Sequence, residues 1–257
     1  MFYYDAGLNY NSLDNFEESY KYMDLAIKYK EDYYSSYYYK ALAELNINTK
    51  ITFIDTKFKD INQDNFKALD KKIKSKKSDY NYKKLLKTFK ATPLKMGFDE
   101  LFMLYYGNSK QKGTTGYSKS TLNTSFKDRY AEGMFEECIK EAKDVLEKNL
   151  TYFPAYDYIL ASYYNLGDYE NFYKYYYLYT GFLHSIWKTG TGATAENALI
   201  ITSVSDEYAF LSFFGLEFKS QALINEGGHE YDLMIVDDKE NFPNGVFFNI
   251  DVFFGKF

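Results

Sequence analysis

The sequence predicts an α+β protein that is mostly α, with helical hairpins followed by a small C-terminal antiparallel β-sheet. Apolar and aromatic residues recur at helical spacing through most of the chain, turn residues interrupt them at a regular interval, and the last third changes to short β-rich runs. The 257 residues, 46% of them hydrophobic, are enough for a packed core. We divide the chain into an N-terminal hairpin (1–50), a helical region with two further hairpins (51–195) and a helix with three strands (196–257).

The hairpins are predicted from their turns. In "YYNLGDYENFYKYY" Gly167 can adopt the left-handed conformation at little cost, and Asp168 can cap the helix that follows. Gly133, 34 residues earlier, lies between similar aromatic residues. In "LNYNSLDNFEESY" Asp14 and Asn15 fill the corresponding turn, since these residue types tolerate the left-handed backbone better than most.

These copies resemble the tetratricopeptide repeat, whose period is about 34 residues. The N-terminal copy places five residues on signature positions, namely Gly7, Tyr10, Phe16, Met23 and Ala26. The copy around Gly167 departs from the signature, because Phe172 stands where a small residue is usual. The resemblance implies that first-helix residues line a groove for a partner, and it nominates Tyr4, Asn11, Asn123, Lys127, Tyr130, Asp157, Tyr164 and Asn165.

Helices are also predicted between the first hairpin and the later pair. Apolar residues at spacings of three and four predict one helix over Phe66–Ile73, capped by Asp64, and another over Tyr82–Phe89. The pattern then breaks and resumes near Asp99. A stretch rich in Gly, Ser and Thr, from residue 107 to about residue 125, predicts a loop.

The C-terminal third predicts one buried helix over residues 198–214 and then three antiparallel strands, within residues 218–224, 231–237 and 245–251. Alternate positions in a strand point to the same face of a sheet. The predicted buried face consists of Phe218, Ala222, Ile224, Leu233, Ile235, Val246, Phe248 and Ile250.

This tail, together with "YNYKKLLKTF", "LFMLYYG" and "SVSDEYAFLSFFGL", resembles an uncharacterised bacterial family known only as a domain of unknown function (4919 type). The resemblance covers roughly residues 55 to 250 and implies no activity and no site. It also implies export, because members of that family often look exported. The start of the chain suggests instead that the protein is cytoplasmic if Met1 is the native start, and periplasmic or secreted if a leader was removed.

Charge and cysteine content limit the possible partners. The net charge is −5, yet residues 57–95 are rich in lysine and residues 196–257 are acidic. Arg129 is the only arginine, so the sequence lacks the arginine forks that usually read nucleic acid, and we expect no nucleic-acid partner. No apolar stretch approaches the length of a membrane span, and the single Cys138 excludes an internal disulfide framework. The oligomeric state is not predicted.

Few residues suggest a cofactor or a metal. Cys138 occupies a packing position, and His184 and His229 lack companions at ligand spacing, so no metal site is expected. We place His184 near a helix end, where an imidazolium can meet exposed carbonyls. "GTGATA", residues 190–195, fits a dinucleotide pattern, but it follows a predicted helix and Thr194 can cap the next one, so no cofactor is expected.

Two functions therefore stay open. The first is a scaffold without intrinsic catalysis that binds a protein or peptide segment in the groove. The alternative is a hydrolase-like enzyme using the polar cluster Ser205, Asp206 and Glu207, in which one desolvated carboxyl could share acid and base work. The interpretation that we favour for the same cluster is a helix cap or a buried hydrogen-bond knot between the hairpins and the sheet.

Overall fold

The structure, a computed structural model, describes residues 17–19, 21, 22, 25, 58–93, 96–111, 124–239 and 242–255. Most of the predicted N-terminal hairpin lies outside the described residues. So do three of the nominated groove residues, Tyr4, Asn11 and Asn123, and residues 112–123 of the predicted loop.

The α+β prediction, mostly α, is confirmed over residues 58–255. The helices are α1 (Phe66–Lys74), α2 (Tyr82–Ala91), α3 (Phe98–Asn108), α4 (Phe126–Ala131), α5 (Phe135–Lys148), α6 (Phe153–Leu166), α7 (Tyr169–Trp187) and α8 (Val204–Phe213). The strands are β1 (Leu199–Ile200), β2 (Phe218–Glu226), β3 (His229–Val236) and β4 (Val246–Asn249).

The helices α1 and α2 occupy the predicted segments, but the predicted cap of α1 is wrong. Asn62, not Asp64, provides the capping side chain: its Oδ1 accepts a hydrogen bond from the backbone N–H of Asp64 at 3.1 Å. This bond opens a short 3-10 turn, Gln63–Asn65, that continues into α1. α1 itself has no side-chain cap at its N-cap residue Asn65, because it continues directly from this turn.

The hairpins α4–α5 and α6–α7 turn where the sequence predicts. Gly133 and Gly167 have φ values of 74° and 70°, in the left-handed region that favours glycine. The Asp168 side chain accepts a hydrogen bond from the backbone N–H of Asn171 at 3.2 Å and so caps α7. The break in the aromatic pattern is therefore a helix-to-helix turn.

Replacing Gly167 with valine tests this turn. A Cβ at position 167 would meet nothing within 4 Å, so the cost comes from the backbone alone. We expect Gly167→Val to lower the free energy of unfolding by about 1–2 kcal/mol, measured by chemical denaturation. Gly167→Asn should cost less, because asparagine tolerates a positive φ. A valine variant as stable as the wild type would contradict the left-handed turn.

The C-terminal region contains four strands, so the prediction of three is wrong. The sheet order is β1–β4–β3–β2, with β1 parallel to β4 and the other pairs antiparallel. The predicted helix over residues 198–214 begins only at Val204, because Leu199 and Ile200 pair with residues 248 and 249 of β4. A two-residue strand whose partner lies almost 50 residues later in the chain cannot be recognised from a local sequence pattern.

The predicted buried face of the sheet is correct for β4 and wrong for β2 and β3. Val246, Phe248 and Ile250 are buried as predicted. On β3 the fully buried apolar residues are instead Met234 and Val236. Residues 233–236 are all apolar, so the sequence is compatible with burial of either face of β3. The face that is buried is the one covered by α8. The edge strand β2 is exposed along almost its whole length, and a bulge between residues 218 and 220 shifts its alternation.

One hydrophobic core joins the helices to the sheet. Its cluster of buried residues runs from Ile61 to Phe253 and crosses the predicted boundary at residue 195. At this crossing the ring of Trp187, at the end of α7, stacks on that of Phe210 in α8, with ring centroids 5.5 Å apart. The domain division stays a prediction. Within the described residues, no helix combines the length and the apolar character needed to cross a membrane.

Candidate functional site

Two nominated residues from different hairpins meet at the ends of α4 and α6. The Nδ2 atom of Asn165 donates hydrogen bonds to the Tyr130 hydroxyl at 3.4 Å and to the Ala161 carbonyl at 2.7 Å. The Tyr130 ring packs edge to face on Tyr158, with centroids 5.4 Å apart. These contacts tie the first helix of one hairpin to the first helix of the next.

Exposed aromatic rings lie beside this junction. Tyr164 is 61% exposed and Tyr169 is 52% exposed, and their rings meet edge to face with centroids 6.2 Å apart. Tyr164 also contacts the half-buried ring of Phe172 at 6.2 Å. We call Tyr130, Tyr164, Asn165 and Tyr169 the hairpin surface. Because large exposed apolar groups usually cost solubility, a group of them indicates an interaction site.

The other two nominated residues that the structure describes do not join these contacts. Lys127 is exposed on α4, one turn before Tyr130. Asp157 is exposed on α6, and its carboxylate interacts electrostatically with Tyr179 of α7. The resemblance did not nominate Tyr169, because that residue belongs to the second helix of its hairpin.

Asp206, in the first turn of α8, is the centre of a buried hydrogen-bond knot. Its Oδ2 accepts from the Tyr105 hydroxyl at 2.5 Å, the Thr202 backbone N–H at 3.1 Å, the Thr202 hydroxyl at 3.0 Å and the Ser203 backbone N–H at 2.9 Å. Its Oδ1 accepts from the Ser203 hydroxyl at 2.7 Å. Tyr105 belongs to α3, so the knot ties that helix to the start of α8.

Glu207 faces a second buried carboxyl, Asp232 of β3. The Glu207 side chain is 0% exposed, and its two oxygens receive no hydrogen bond from a donor among the described residues. Burial raises the pKa of Glu207 to about 9, and the neighbouring Asp232 charge adds to the shift. Glu207 is therefore protonated at neutral pH and can share its proton with Asp232. No local sequence pattern predicts this pair, because the two carboxyls lie on separate elements of the fold.

The polar cluster lacks the geometry of a nucleophile with its base. The Ser205 hydroxyl lies 2.8 Å from that of Ser203, and no histidine or lysine bonds to Asp206 among the described residues. His184 is buried between the rings of Phe98 and Phe213. Burial lowers the pKa of His184 to about 4, with Lys188 adding to the shift, so the predicted imidazolium at a helix end is wrong.

The glycine-rich segment serves close backbone packing. It follows α7 and leads into a short 3-10 turn, Ala195–Asn197. Thr194 occupies the N-cap position of this turn, but its side chain makes no capping hydrogen bond, so the predicted cap is wrong. A Cβ on Gly190 would come within 2.3 Å of the Asn197 carbonyl oxygen. The backbone of Gly192 accepts a hydrogen bond from the Phe247 N–H at 2.7 Å. The glycines are therefore explained by the contact between this segment and the sheet.

A cleft lined by lysines lies on another side of the helical region. Lys72 of α1 and Lys188, just after α7, line it together with Tyr80, Phe98 and Asp99. Its volume is about 510 Å³. The Lys72 and Lys188 ammonium groups lie 5.5 Å and 5.3 Å from the ring centroids of Tyr80 and Phe98. No local sequence pattern indicates this cleft, because its lining residues come from five separate segments of the chain.

The remaining residues considered as nucleophiles or metal ligands, Cys138 and His229, have structural contacts. Cys138 is fully buried, and burial raises the pKa of its thiol, as a packing residue requires. His229 begins β3, and its Nδ1 lies 2.5 Å from the Asp251 carboxylate. In the part of the chain that the structure describes, no three histidine, cysteine or acidic side chains converge as metal ligands.

Comparison with known proteins places the chain in a family without giving it an activity. None of the curated proteins matches it. A family described as Domain of unknown function (DUF4919) matches residues 67–255, from α1 to beyond β4. The match includes the hairpins α4–α5 and α6–α7, the carboxyl cluster and the whole sheet. Since the match covers well over half of the sequence, the chain belongs to this domain-of-unknown-function family.

Proposed function

We propose that the protein is a scaffold that binds a protein segment carrying apolar side chains at the hairpin surface. The observation that carries the proposal is the exposure of Tyr164 and Tyr169, whose rings pack on each other rather than into the core. Exposed tyrosines offer large apolar contact areas, with a hydroxyl for hydrogen bonding, at little cost in conformational entropy.

Polar groups at the same surface suit a peptide backbone. The Nδ2 of Asn165 is oriented by Tyr130 and Ala161, whereas its Oδ1 accepts no hydrogen bond from the described residues. That oxygen is available to a backbone N–H of a bound segment. Glu170 is exposed beside Tyr169, so a segment with a basic residue next to its apolar side chains fits best.

The two stacked hairpins support a tetratricopeptide-like arrangement as part of this proposal. In such an arrangement first helices lie side by side, as α4 and α6 do through Tyr130 and Asn165. Lys127 and Asp157 would then flank the bound segment. The enzyme alternative gains no support, since the carboxyls of Asp206 and Glu207 are buried and no histidine or lysine among the described residues forms a hydrogen bond with Ser205.

Selection from a random peptide display library, with the purified full chain as bait, tests the proposal. We expect enriched peptides with apolar side chains next to a basic residue. Because it removes two exposed rings and changes no buried residue, Tyr164→Ser with Tyr169→Ser should weaken their binding about tenfold or more, measured by fluorescence anisotropy.

Tyr208→Ser is the matched control, because Tyr208 is 43% exposed and packs on Phe218 of β2, outside the hairpin surface. It should leave peptide affinity unchanged. Failure to enrich any peptide, or equal loss of binding in the control and the double variant, would exclude the hairpin surface as the binding site.

A further inference from the structure

We propose that the cleft lined by Lys72 and Lys188, called the lysine cleft below, binds a small organic anion. The ligand would be a carboxylate or a phosphate ester with an apolar body. The residues that line the cleft are Phe58, Lys59, Asp60, Ile61, Lys72, Tyr80, Phe98, Asp99, Met103 and Lys188. A volume of about 510 Å³ is within the roughly 300–1,000 Å³ of typical ligand pockets.

The cations of the cleft are the first reason. Lys72 and Lys188 are both half-buried, and neither forms an ion pair with a carboxylate among the described residues. Partly buried ammonium groups lose hydration, and an anionic group bound in the cleft would restore the lost interactions. Lys59 adds a third positive charge at the exposed rim.

The acidic groups of the cleft do not neutralise these lysines. Asp99 accepts a hydrogen bond from the Tyr80 hydroxyl at 2.5 Å, and this bond is the main cause that raises the pKa of Tyr80 to about 12. Asp60 is exposed. With three lysines against two aspartates, the lining carries a net positive charge.

The apolar walls are the second reason, and they define the body of the ligand. Phe58 and Phe98 are half-buried, whereas Met103 is fully buried beneath them. The backbone N–H of Phe58 donates to the Lys188 carbonyl at 2.8 Å, which holds this wall against the end of α7. A planar apolar group can stack on these rings while its charged group meets the two ammonium groups.

Isothermal titration calorimetry of the full chain tests the proposal with phenyl phosphate, benzoate and inorganic phosphate. We expect at least one aromatic anion to bind, and to bind more tightly than inorganic phosphate. The stronger of the two aromatic probes identifies the anionic group. Lys72→Met and Lys188→Met should each weaken it about tenfold, whereas Lys188→Arg should keep most of the affinity.

Lys148→Met is the matched control, because Lys148 is an exposed lysine of α5 outside the cleft. It makes the same change in net charge and should leave affinity unchanged. Absence of binding by both aromatic anions, equal binding of inorganic phosphate, or equal loss in the control would overturn the proposal. Tyr164→Ser with Tyr169→Ser should not affect this binding, so the test is independent of the hairpin surface.

Discussion

Asp206→Ala should lower the free energy of unfolding by about 3–5 kcal/mol, measured by urea denaturation at neutral pH. The substitution removes the acceptor of five hydrogen bonds. It leaves the Tyr105 hydroxyl without its acceptor at a position with no access to water, and it removes the carboxylate that holds the first turn of α8.

The matched control for this substitution is Asp144→Ala, an exposed aspartate in α5. It removes the same carboxylate where water can replace every interaction, so the change should stay within about 0.5 kcal/mol. Equal losses in the two variants, or a loss below about 1 kcal/mol for Asp206→Ala, would mean that the knot does not hold α3 to α8.

Glu207→Gln should raise the free energy of unfolding, although Glu207 is the neighbour of Asp206 in α8. The folded protein holds a proton on Glu207 up to a pKa of about 9, whereas the unfolded chain loses it near the ordinary value of 4.5. Between these values the folded state binds more protons, so stability falls as pH rises, by about 1.4 kcal/mol per pH unit. The loss is complete above pH 9.

Glutamine removes this proton linkage because it cannot ionise, and its amide can donate to Asp232. We expect the variant to be more stable than the wild type by up to about 5 kcal/mol at pH 8, and nearly equal to it at pH 4, from denaturation curves at both values. Glu196→Gln, an exposed control, should follow the wild type. Parallel pH profiles for Glu207→Gln and the wild type would contradict the shared proton.

The features that the sequence predicted correctly are those with local causes. The turn at Gly167 needs only a residue that accepts a positive φ, and its neighbour Asp168 supplies the cap. Helices α1 and α2 follow from apolar residues on a single stripe. Each of these signals lies within a few residues of the structure it specifies.

The features that the sequence did not predict depend on contacts between distant segments. β1 exists because β4, almost 50 residues later, offers it a partner. The buried face of β3 is set by α8, because the run from Leu233 to Val236 is apolar on both faces. The contact between Asp232 and Glu207 also joins distant segments. It could not be predicted, because the residues around Asp232, "YDLMIV", indicate only a strand.

The exposed edge strand β2 has a consequence for the behaviour of the protein in solution. Its outer row of N–H and C=O groups is a template for pairing with another chain, which is how many sheet proteins begin to aggregate. The bulge beside Lys219 breaks the regular spacing of that row, and the lysine, paired with Glu217 at 2.6 Å, adds charge there. The bulge thus hinders edge-to-edge pairing between neighbouring molecules.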